Sequence, residues 1–295
     1  MSGSVAAYFR DYASLIKLSH TLFALPFAVL ALLVATDGRP SGILLLQVVG
    51  AVVAARTAAM AYNRFADRAI DAANPRTADR EIPRGAVSPG AALLLVAVAA
   101  GAFIAICWSI GTWCLVGSVP VLLWLLGYSH SKRWTRWCHV WLGVALGLAP
   151  LAAWVAAGDS AGHVEAARLG VPLLLSAAVT SWVAGFDVLY ACQDEDFDKS
   201  RGLRSVPAAM GRVQALWLAR GLHVFAVLMF FAFGLAAGLA WLYALGVVAA
   251  AGLLWWQHRA LQPDHLGRLG PGLFAANGVL SVVMLAAGAL DIYAW

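Results

Sequence analysis

Long apolar runs alternate with short polar segments along the whole of this chain. Nine runs stand out as candidate helices, at residues 16–36, 42–62, 90–108, 112–128, 139–157, 168–190, 212–236, 238–257 and 272–294. An α-helix needs about 17–25 residues to cross a bilayer, which these runs supply. They are continuous and do not alternate as the strands of a membrane β-barrel would. The pattern therefore predicts an all-α membrane protein with nine transmembrane helices, forming a single domain over residues 1–295.

The composition supports a chain that is surrounded mostly by lipid. Hydrophobic residues make up 62% of the sequence, charged residues only 12%, and the mean hydropathy is +0.79. A soluble domain usually carries about a quarter charged residues, to cover its surface towards water. Half that share leaves little surface for water and excludes an ordinary soluble enzyme.

The basic residues predict how the chain is oriented in the membrane. With the N-terminus in the cytoplasm, 17 of the 20 Lys and Arg residues fall on or near the cytoplasmic side. Arg39 and Arg168 fall on the opposite side, and Arg56 lies within a helix. This asymmetry follows the positive-inside rule, so the net charge of +5 needs no nucleic-acid partner. The long or polar loops 63–89, 129–138 and 191–211 are predicted to be cytoplasmic and to hold the active site.

Cysteine and histidine show no metal-ligand spacing. Cys107 and Cys114 lie near a predicted external turn, and a disulfide between them is one interpretation. Buried free thiols are the preferred interpretation of the four cysteines. The histidines after position 20 are interpreted as loop residues.

Two acidic motifs carry the strongest chemical signal. The first follows the second apolar run, and the second follows the sixth. Residues spaced by three or four positions share one face of a helix, so each motif predicts a column of oxygen ligands. The columns consist of Asn63, Asp67 and Asp71, and of Asp187, Tyr190, Asp194 and Asp198.

Two columns of acids that face each other indicate a divalent cation between them. Asp187 follows an unbroken apolar stretch, and an acid at that depth costs about 2.5–3.5 kcal/mol unless it has a partner. Oxygen ligands favour Mg²⁺, and substrate phosphates commonly complete its coordination shell. The motifs therefore predict a Mg²⁺ site for a diphosphate, with Asp67, Asp71, Asp194 and Asp198 as its ligands.

At these residues the sequence resembles the UbiA superfamily of intramembrane prenyltransferases. The family's first motif is matched at Asn63, Asp67 and Asp71, and its second at Asp187, Tyr190, Asp194 and Asp198. The resemblance spans roughly residues 10–290, although Arg64 stands where many members have a second acid. It implies nine helices in a bundle around a central cavity, with cytoplasmic cap loops, in the bacterial inner membrane. It also implies Mg²⁺-dependent transfer of a polyprenyl chain from its diphosphate to an aromatic acceptor.

The predicted reaction assigns a role to each candidate residue. Ionisation of the allylic diphosphate places charge on the leaving group, which metal and basic groups stabilise. Asp67, Asp71, Asp187, Asp194 and Asp198 are the candidate catalytic residues. The candidates for contact with the diphosphate are Asn63, Arg76, Arg80, Lys132, Lys199 and Arg201. For each basic residue the alternative explanation is the positive-inside rule alone.

The acceptor is predicted to meet Arg56, Asp187 and Tyr190. Arg56 precedes Asn63 by seven positions, on about the same helix face, where a cation suits the acceptor's carboxylate. A structural ion pair between Arg56 and Asp187 is the alternative. Asp187 is expected to orient the acceptor, to accept the ring proton, or to ligate the metal. Trp182 and Phe186 are candidates for cation–π contact with the allylic cation, with packing as the preferred interpretation.

Details of the sequence look most like bacterial enzymes of quinone biosynthesis, for ubiquinone or menaquinone. The acceptor is then a 4-hydroxybenzoate-type acid, with a hydroxynaphthoate or another aromatic compound as the alternative. A cation-coupled transporter is the alternative of a different class, because it also needs acids within the membrane. Acids at one interface disfavour it.

Overall fold

The computed structural model describes residues 5–16, 23–261 and 271–294, and in those residues the regular structure is helical, with no strand. The first predicted span includes residues 17–22, which lie outside the described residues. The helices are α1 Val5–Leu15, α2 Leu25–Ala35, α3 Gly42–Ala66, α4 Arg68–Ala73, α5 Pro89–Ile110, α6 Thr112–Trp134, α7 Cys138–Ser160, α8 Gly170–Ala191, α9 Glu195–Ser200, α10 Val206–Met210, α11 Arg212–Ala236, α12 Trp241–Ala260 and α13 Pro271–Ala294.

A helix occupies each of the nine apolar runs, and seven segments are long and apolar enough to cross a membrane. The two remaining helices are α2, which has 11 residues, and α12, which has 20. The short helices α1, α4, α9 and α10 were not predicted. They lie in polar segments, where no long hydrophobic period marks a helix.

Serine side chains begin three of these helices. Ser41 accepts a hydrogen bond from Leu44 N at the start of α3, and Ser88 accepts one from Ala91 N at the start of α5. Ser205 does the same for α10. A capping serine satisfies one of the backbone donors that the first helical turn leaves free. The polar residues between the apolar runs thus set where the helices begin.

Small residues bring α7 against α8. A methyl group added at Gly143 or Gly147 would overlap Thr180 of α8. Glycines four positions apart allow two membrane helices to approach closely. This contact fixes the two helices side by side and continues towards the end of α7 that begins at Cys138.

The centre of the bundle is apolar and aromatic. Trp182 is fully buried and makes edge-to-face contacts with Phe27 and Phe186. Its indole N–H donates to Asn277 Oδ1 at 3.1 Å. These contacts place Trp182 in the packed centre of the bundle.

Two carboxylates hold the loops at the end of the bundle away from the motifs. Asp291 of α13 accepts hydrogen bonds from the backbone N–H groups of Ala240, Leu242 and Tyr243 at the start of α12. Asp159 accepts one from Cys114 N at the start of α6. An acid at a helix N-terminus stabilises it through hydrogen bonds and the helix dipole.

The four cysteines are free thiols, which confirms the preferred interpretation of their state.

Candidate active site

The first acidic motif lies where α3 ends. Asn63 is in the last turn of α3, Asp67 follows its last residue, and Asp71 is in α4. Asp67 N donates to Asn63 O, and Asp71 N donates to Asp67 O. The helical spacing is therefore kept although the helix is interrupted at Asp67. Asn63 Nδ2 also donates to Asp67 Oδ2 at 2.9 Å.

The second acidic motif crosses two helix boundaries. Asp187 and Tyr190 lie in the last turns of α8, and a 3₁₀ turn over Cys192–Asp194 follows. Asp198 belongs to the short helix α9. The predicted single column is thus divided among three elements.

One cavity of about 200 Å³ brings both motifs together. It lies among the ends of α3, α6 and α8 and the loops that follow them. Its lining contains all five predicted catalytic carboxylates and most of the predicted binding residues. The charged and polar lining residues are Asn63, Asp67, Asp71, Asn74, Arg76, Thr77, Arg80, Tyr128, Ser129, Lys132, Arg133, Asp187, Tyr190, Asp194 and Asp198.

A bidentate ion pair joins the two motif segments. Arg76, which follows the first motif, donates from Nε to Asp194 Oδ1 at 2.8 Å and from Nη2 to Asp194 Oδ2 at 2.5 Å. Asn74 Nδ2 donates to the same Oδ1 at 3.3 Å. Paired parallel hydrogen bonds of this kind are strong and directional. The two motif loops are therefore held together across the cavity.

The first motif has its own arginine partners. Arg80 Nη1 lies 2.7 Å from Asp71 Oδ1, and Arg133 Nη2 lies 3.3 Å from Asp67 Oδ1. Burial, and after it the charge of Asp71, raises the pKa of Asp67 above its usual range. Lys132 and Arg133 oppose that rise. Crowded carboxylates of this kind favour the arrival of a cation.

The carboxylates also leave acceptor atoms available for a cation. Asp71 Oδ2 and Asp198 Oδ2 are buried and have no hydrogen-bond partner in the part of the chain that the structure describes. A buried carboxylate oxygen without a partner is costly. Among the described residues no three His, Cys, Asp or Glu side chains form a compact chelating group. The free carboxylate oxygens of Asp71 and Asp198 fit a hard cation that also binds waters or phosphate oxygens, as Mg²⁺ does.

Asp187 has a histidine partner that the sequence pattern did not reveal. Its Oδ2 lies 2.7 Å from Nδ1 of His139, a residue of α7 that is 1% exposed. The alternative ion pair between Arg56 and Asp187 is absent among the described contacts. Arg56 Nε is buried without a hydrogen-bond partner in that same part of the chain.

Three predicted binding residues do not line the cavity. Lys199 is exposed and pairs with Glu195 at 2.6 Å, beside a second, open groove. Arg201 is exposed and lies over the ring of Phe197. Neither side chain belongs to the lining of the cavity that holds Asp198. Arg56 lies deeper in α3, two turns before Asn63.

Several residues that line the cavity were not predicted from the sequence. Asn74, Tyr128 and Arg133 line the cavity, and each stands in a loop or helix end that the sequence marks only as polar. The interpretation of the later histidines as loop residues was wrong for four of them, because His130, His139, His223 and His258 lie within helices. It holds for His163, between α7 and α8, and His265 lies outside the described residues. The signal was present at His139, since a polar residue at the edge of an apolar run needs a partner.

The fold and the cavity define an all-helical, multi-pass membrane protein with a mixed acidic and basic site at one end of its helices. The model of the UbiA prenyltransferase family matches residues 24–288, and the chain belongs to that family.

Relatives support this membership along most of the chain. A 4-hydroxybenzoate octaprenyltransferase from Aliivibrio salmonicida is 33% identical over 250 residues, which are 84% of this chain and 82% of that protein. The apo structure of a UbiA homolog from Aeropyrum pernix K1 matches with a TM-score of 0.83 and 34% identity, over 91% of this chain and 96% of that one. A UbiA homolog from Archaeoglobus fulgidus shares the fold, with a TM-score of 0.69 and 18% identity over 97% of this chain and 100% of that one.

Proposed function

We propose that this protein transfers a polyprenyl group from its diphosphate to an aromatic hydroxy acid in quinone biosynthesis. The observation that carries the proposal is the single cavity in which five motif carboxylates meet Arg76, Arg80 and Lys132. A site with both acids and bases suits a metal–diphosphate group, which needs ligands for the cation and donors for the phosphate oxygens.

The named relatives support the same chemistry. The Aliivibrio protein is named for octaprenyl transfer to 4-hydroxybenzoate, and the Archaeoglobus homolog was solved with DMAPP and Mg²⁺. We propose that this chain also binds a divalent cation, and that the ion is Mg²⁺. Asp67, Asp71, Asp194 and Asp198 would hold it. When bound, it stabilises the negative charge that develops on the departing diphosphate.

The basic residues of the cavity bind and orient the diphosphate. Arg76 and Arg80 already reach carboxylates of the two motifs at 2.5 and 2.7 Å, so a phosphate oxygen beside those carboxylates lies within their reach. Lys132 adds a third positive charge, and the Asn63 amide orients the nearest oxygen. These donors stabilise the leaving group as the allylic C–O bond breaks. Lys199 and Arg201 have no part in this arrangement.

The acceptor half of the reaction uses Arg56, Asp187 and Tyr190. Arg56, whose buried Nε has no hydrogen-bond partner among the described residues, offers its guanidinium to the acceptor's carboxylate. A ring carbon then attacks the allylic cation, and its proton passes to the Asp187 carboxylate. Tyr190 lines the cavity beside Asp187 and presents an aromatic face to the cation. The apolar interior of the bundle excludes water from the cation.

The membrane arrangement forms part of the proposal. The chain is one domain over residues 1–295, crosses the bacterial inner membrane nine times, and holds its N-terminus and motif loops in the cytoplasm. The basic residues near the motif end of the helices support this orientation. The acids lie at one end of the bundle rather than at its middle, which does not suit a transporter.

A direct assay tests the proposed function. The purified protein in detergent is given Mg²⁺ and radiolabelled geranyl diphosphate, with 4-hydroxybenzoate and 6-hydroxy-2-naphthoate in parallel. We expect a Mg²⁺-dependent prenylated product from 4-hydroxybenzoate. Product from the naphthoate alone would show that the acceptor is a hydroxynaphthoate, which is the alternative acceptor. No product from either acid with folded protein would contradict transfer to these acids.

A further inference from the structure

His139 connects three elements at the cavity. It is the second residue of α7, its Nδ1 meets Asp187 Oδ2 of α8 at 2.7 Å, and its Nε2 accepts from the backbone N–H of Val206 at 3.2 Å. Val206 is the first residue of α10, where a backbone N–H has no partner within the helix. Both ring nitrogens are therefore in use, although His139 lies outside both acidic motifs.

The contact with Val206 determines which nitrogen of His139 carries the proton. An imidazole nitrogen that accepts a hydrogen bond has no hydrogen of its own, and the other nitrogen of the neutral ring then has one. The proton is thus on Nδ1 and points at Asp187. Asp187 is consequently held as a hydrogen-bond acceptor, the form that can take up a proton from a substrate.

The partner of Asp187 differs from those of the other paired carboxylates in the cavity. Asp67, Asp71 and Asp194 each meet an arginine. A guanidinium cancels carboxylate charge, whereas a neutral imidazole N–H directs the group and leaves its charge. The Asp187 side chain is 21% exposed and makes no other hydrogen bond within the described residues. Its Oδ1 is therefore available to a ligand in the cavity.

The packing of α7 on α8 keeps this pair in place. Gly143 and Gly147 follow His139 at intervals of four and so share its helix face. Gly143 lies against Thr180 and Ala184 of α8, and Gly147 lies against Ser176 and Thr180. Ala184 stands about one turn before Asp187, and Thr180 about two turns. The close approach of the two helices therefore continues directly into the contact between His139 and Asp187.

We propose that His139 is a positioning residue for the acceptor step. It fixes Oδ2 of Asp187 so that Oδ1 faces the ring that is being prenylated. In that step a C–C bond forms between the allylic carbon and a ring carbon. The ring C–H bond then breaks, its electrons return to the ring, and the proton goes to Asp187. His139 keeps its own proton throughout. The inference rests on the proposed function.

Two amide substitutions separate this role from a purely structural one. In His139→Asn the side-chain amide N–H replaces Nδ1 and still donates to Asp187, but it does not reach Val206. In His139→Gln the longer side chain places its carbonyl oxygen near the former Nε2, where it accepts from Val206 but leaves Asp187 without a donor. Both variants are neutral and polar, so they are matched controls for each other.

The test measures kcat and both KM values with Mg²⁺, geranyl diphosphate and the acid that the wild type prenylates, together with thermal unfolding in detergent. We expect His139→Gln to lose about 10–100-fold in kcat/KM for the acid, the range typical of lost orienting contacts. Its KM for geranyl diphosphate should stay within about two-fold. His139→Asn should retain most of the wild-type kcat/KM.

Every other outcome would contradict either the positioning role of His139 or the proposed function. If His139→Gln is as active as the wild type, or if His139→Asn is the more impaired of the two, the positioning role is wrong and the contact with Val206 is what matters. Equal losses for the acid and the diphosphate would also overturn it. If the folded wild type gives no product, the proposed function fails, and this inference falls with it.

Discussion

Arg76 and Lys199 have the same charge and both follow an acidic motif, but the structure gives them different surroundings. Arg76 reaches into the cavity and holds Asp194 by two hydrogen bonds, whereas Lys199 stays outside and holds Glu195. Spacing along the sequence did not separate them, because the direction of a side chain at a helix end depends on how that helix turns. The ion pairs of Arg76 and Lys199, and not their positions in the sequence, therefore show which of the two side chains lies at the cavity.

Substitution of these two residues should give different kinetics. We expect Arg76→Ala to raise the KM for the prenyl diphosphate by about ten-fold or more, since a lost hydrogen bond to a charged group costs about 1.5–3 kcal/mol. Lys199→Ala should change it by less than about two-fold. Steady-state kinetics with geranyl diphosphate measure both. A larger effect for Lys199→Ala would place the diphosphate in the other groove.

Arg56 provides the corresponding test for the acceptor. Because its Nε is buried in α3 without a hydrogen-bond partner among the described residues, Arg56→Ala should raise the KM for the acid more than the KM for the diphosphate. Arg39→Ala serves as the control, since Arg39 is exposed between α2 and α3. Equal changes in both KM values for Arg56→Ala would contradict a role in binding the acceptor.

At the scale of the helices, a buried pair ties α1 to the first motif. Glu81 accepts from Ser14 of α1 at 2.5 Å and lies 3.8 Å from Arg64 of α3, which also donates to Leu15 O. Arg64 stands where many UbiA members have an acid, and here it faces Glu81 rather than the cavity. The segment that carries Arg76 and Arg80 is thereby fixed to two helices.

This pair predicts a pH-dependent difference in stability. Burial by itself would raise the pKa of Glu81, but the hydrogen bond from Ser14 and the charges of Arg64 and Arg84 lower it overall. The carboxylate then contributes stability fully above its ordinary pKa of 4.5, and the contribution is lost as the pH falls through the lowered value. Glu81→Gln should therefore lower Tm at pH 7, and the difference in Tm from the wild type should shrink as the pH falls below 4.5.

Thermal unfolding in detergent across that pH range measures the effect. Glu165→Gln is the matched control, because Glu165 is exposed between α7 and α8 and should leave Tm unchanged. If the difference in Tm between the wild type and Glu81→Gln is as large in acid as at pH 7, the charge of Glu81 is not the source of that difference.

The helices followed from the sequence more closely than the site did. Hydrophobic runs located α3, α11 and α13 within a few residues, because the lipid imposes a minimum length on each span. The interruption at Asp67 and the short helices α9 and α10 were missed, since tertiary contacts form them. His139 was missed for a related reason: its partner Asp187 is 48 positions away, and a single histidine has no spacing to interpret.

At the scale of the whole molecule, the two ends of the bundle differ in chemistry. Acids and bases gather at the end that holds the cavity, while at the other end Asp159 and Asp291 serve as helix caps. A charged substrate head group and a lipid chain can then meet at one membrane surface. We expect that surface to be cytoplasmic.

Labelling of single introduced cysteines tests this orientation. Ser200→Cys at the end of α9 should react with an impermeant maleimide in inside-out vesicles, and His163→Cys after α7 should react in right-side-out vesicles. Both positions are exposed, and the unsubstituted protein, whose cysteines are buried or half-buried, gives the background. The reverse pattern would place the cavity on the outer face.

We expect the two acidic motifs to form one site for the cation and the diphosphate. The most direct measurement compares Mg²⁺-dependent turnover of Asp194→Ala with that of Asp196→Ala. Asp194 lines the cavity, while Asp196, two positions on, is 89% exposed and pairs with Arg212. We expect loss of turnover in folded Asp194→Ala and near wild-type turnover in Asp196→Ala. Full turnover in Asp194→Ala would show that the two motifs do not form a shared site.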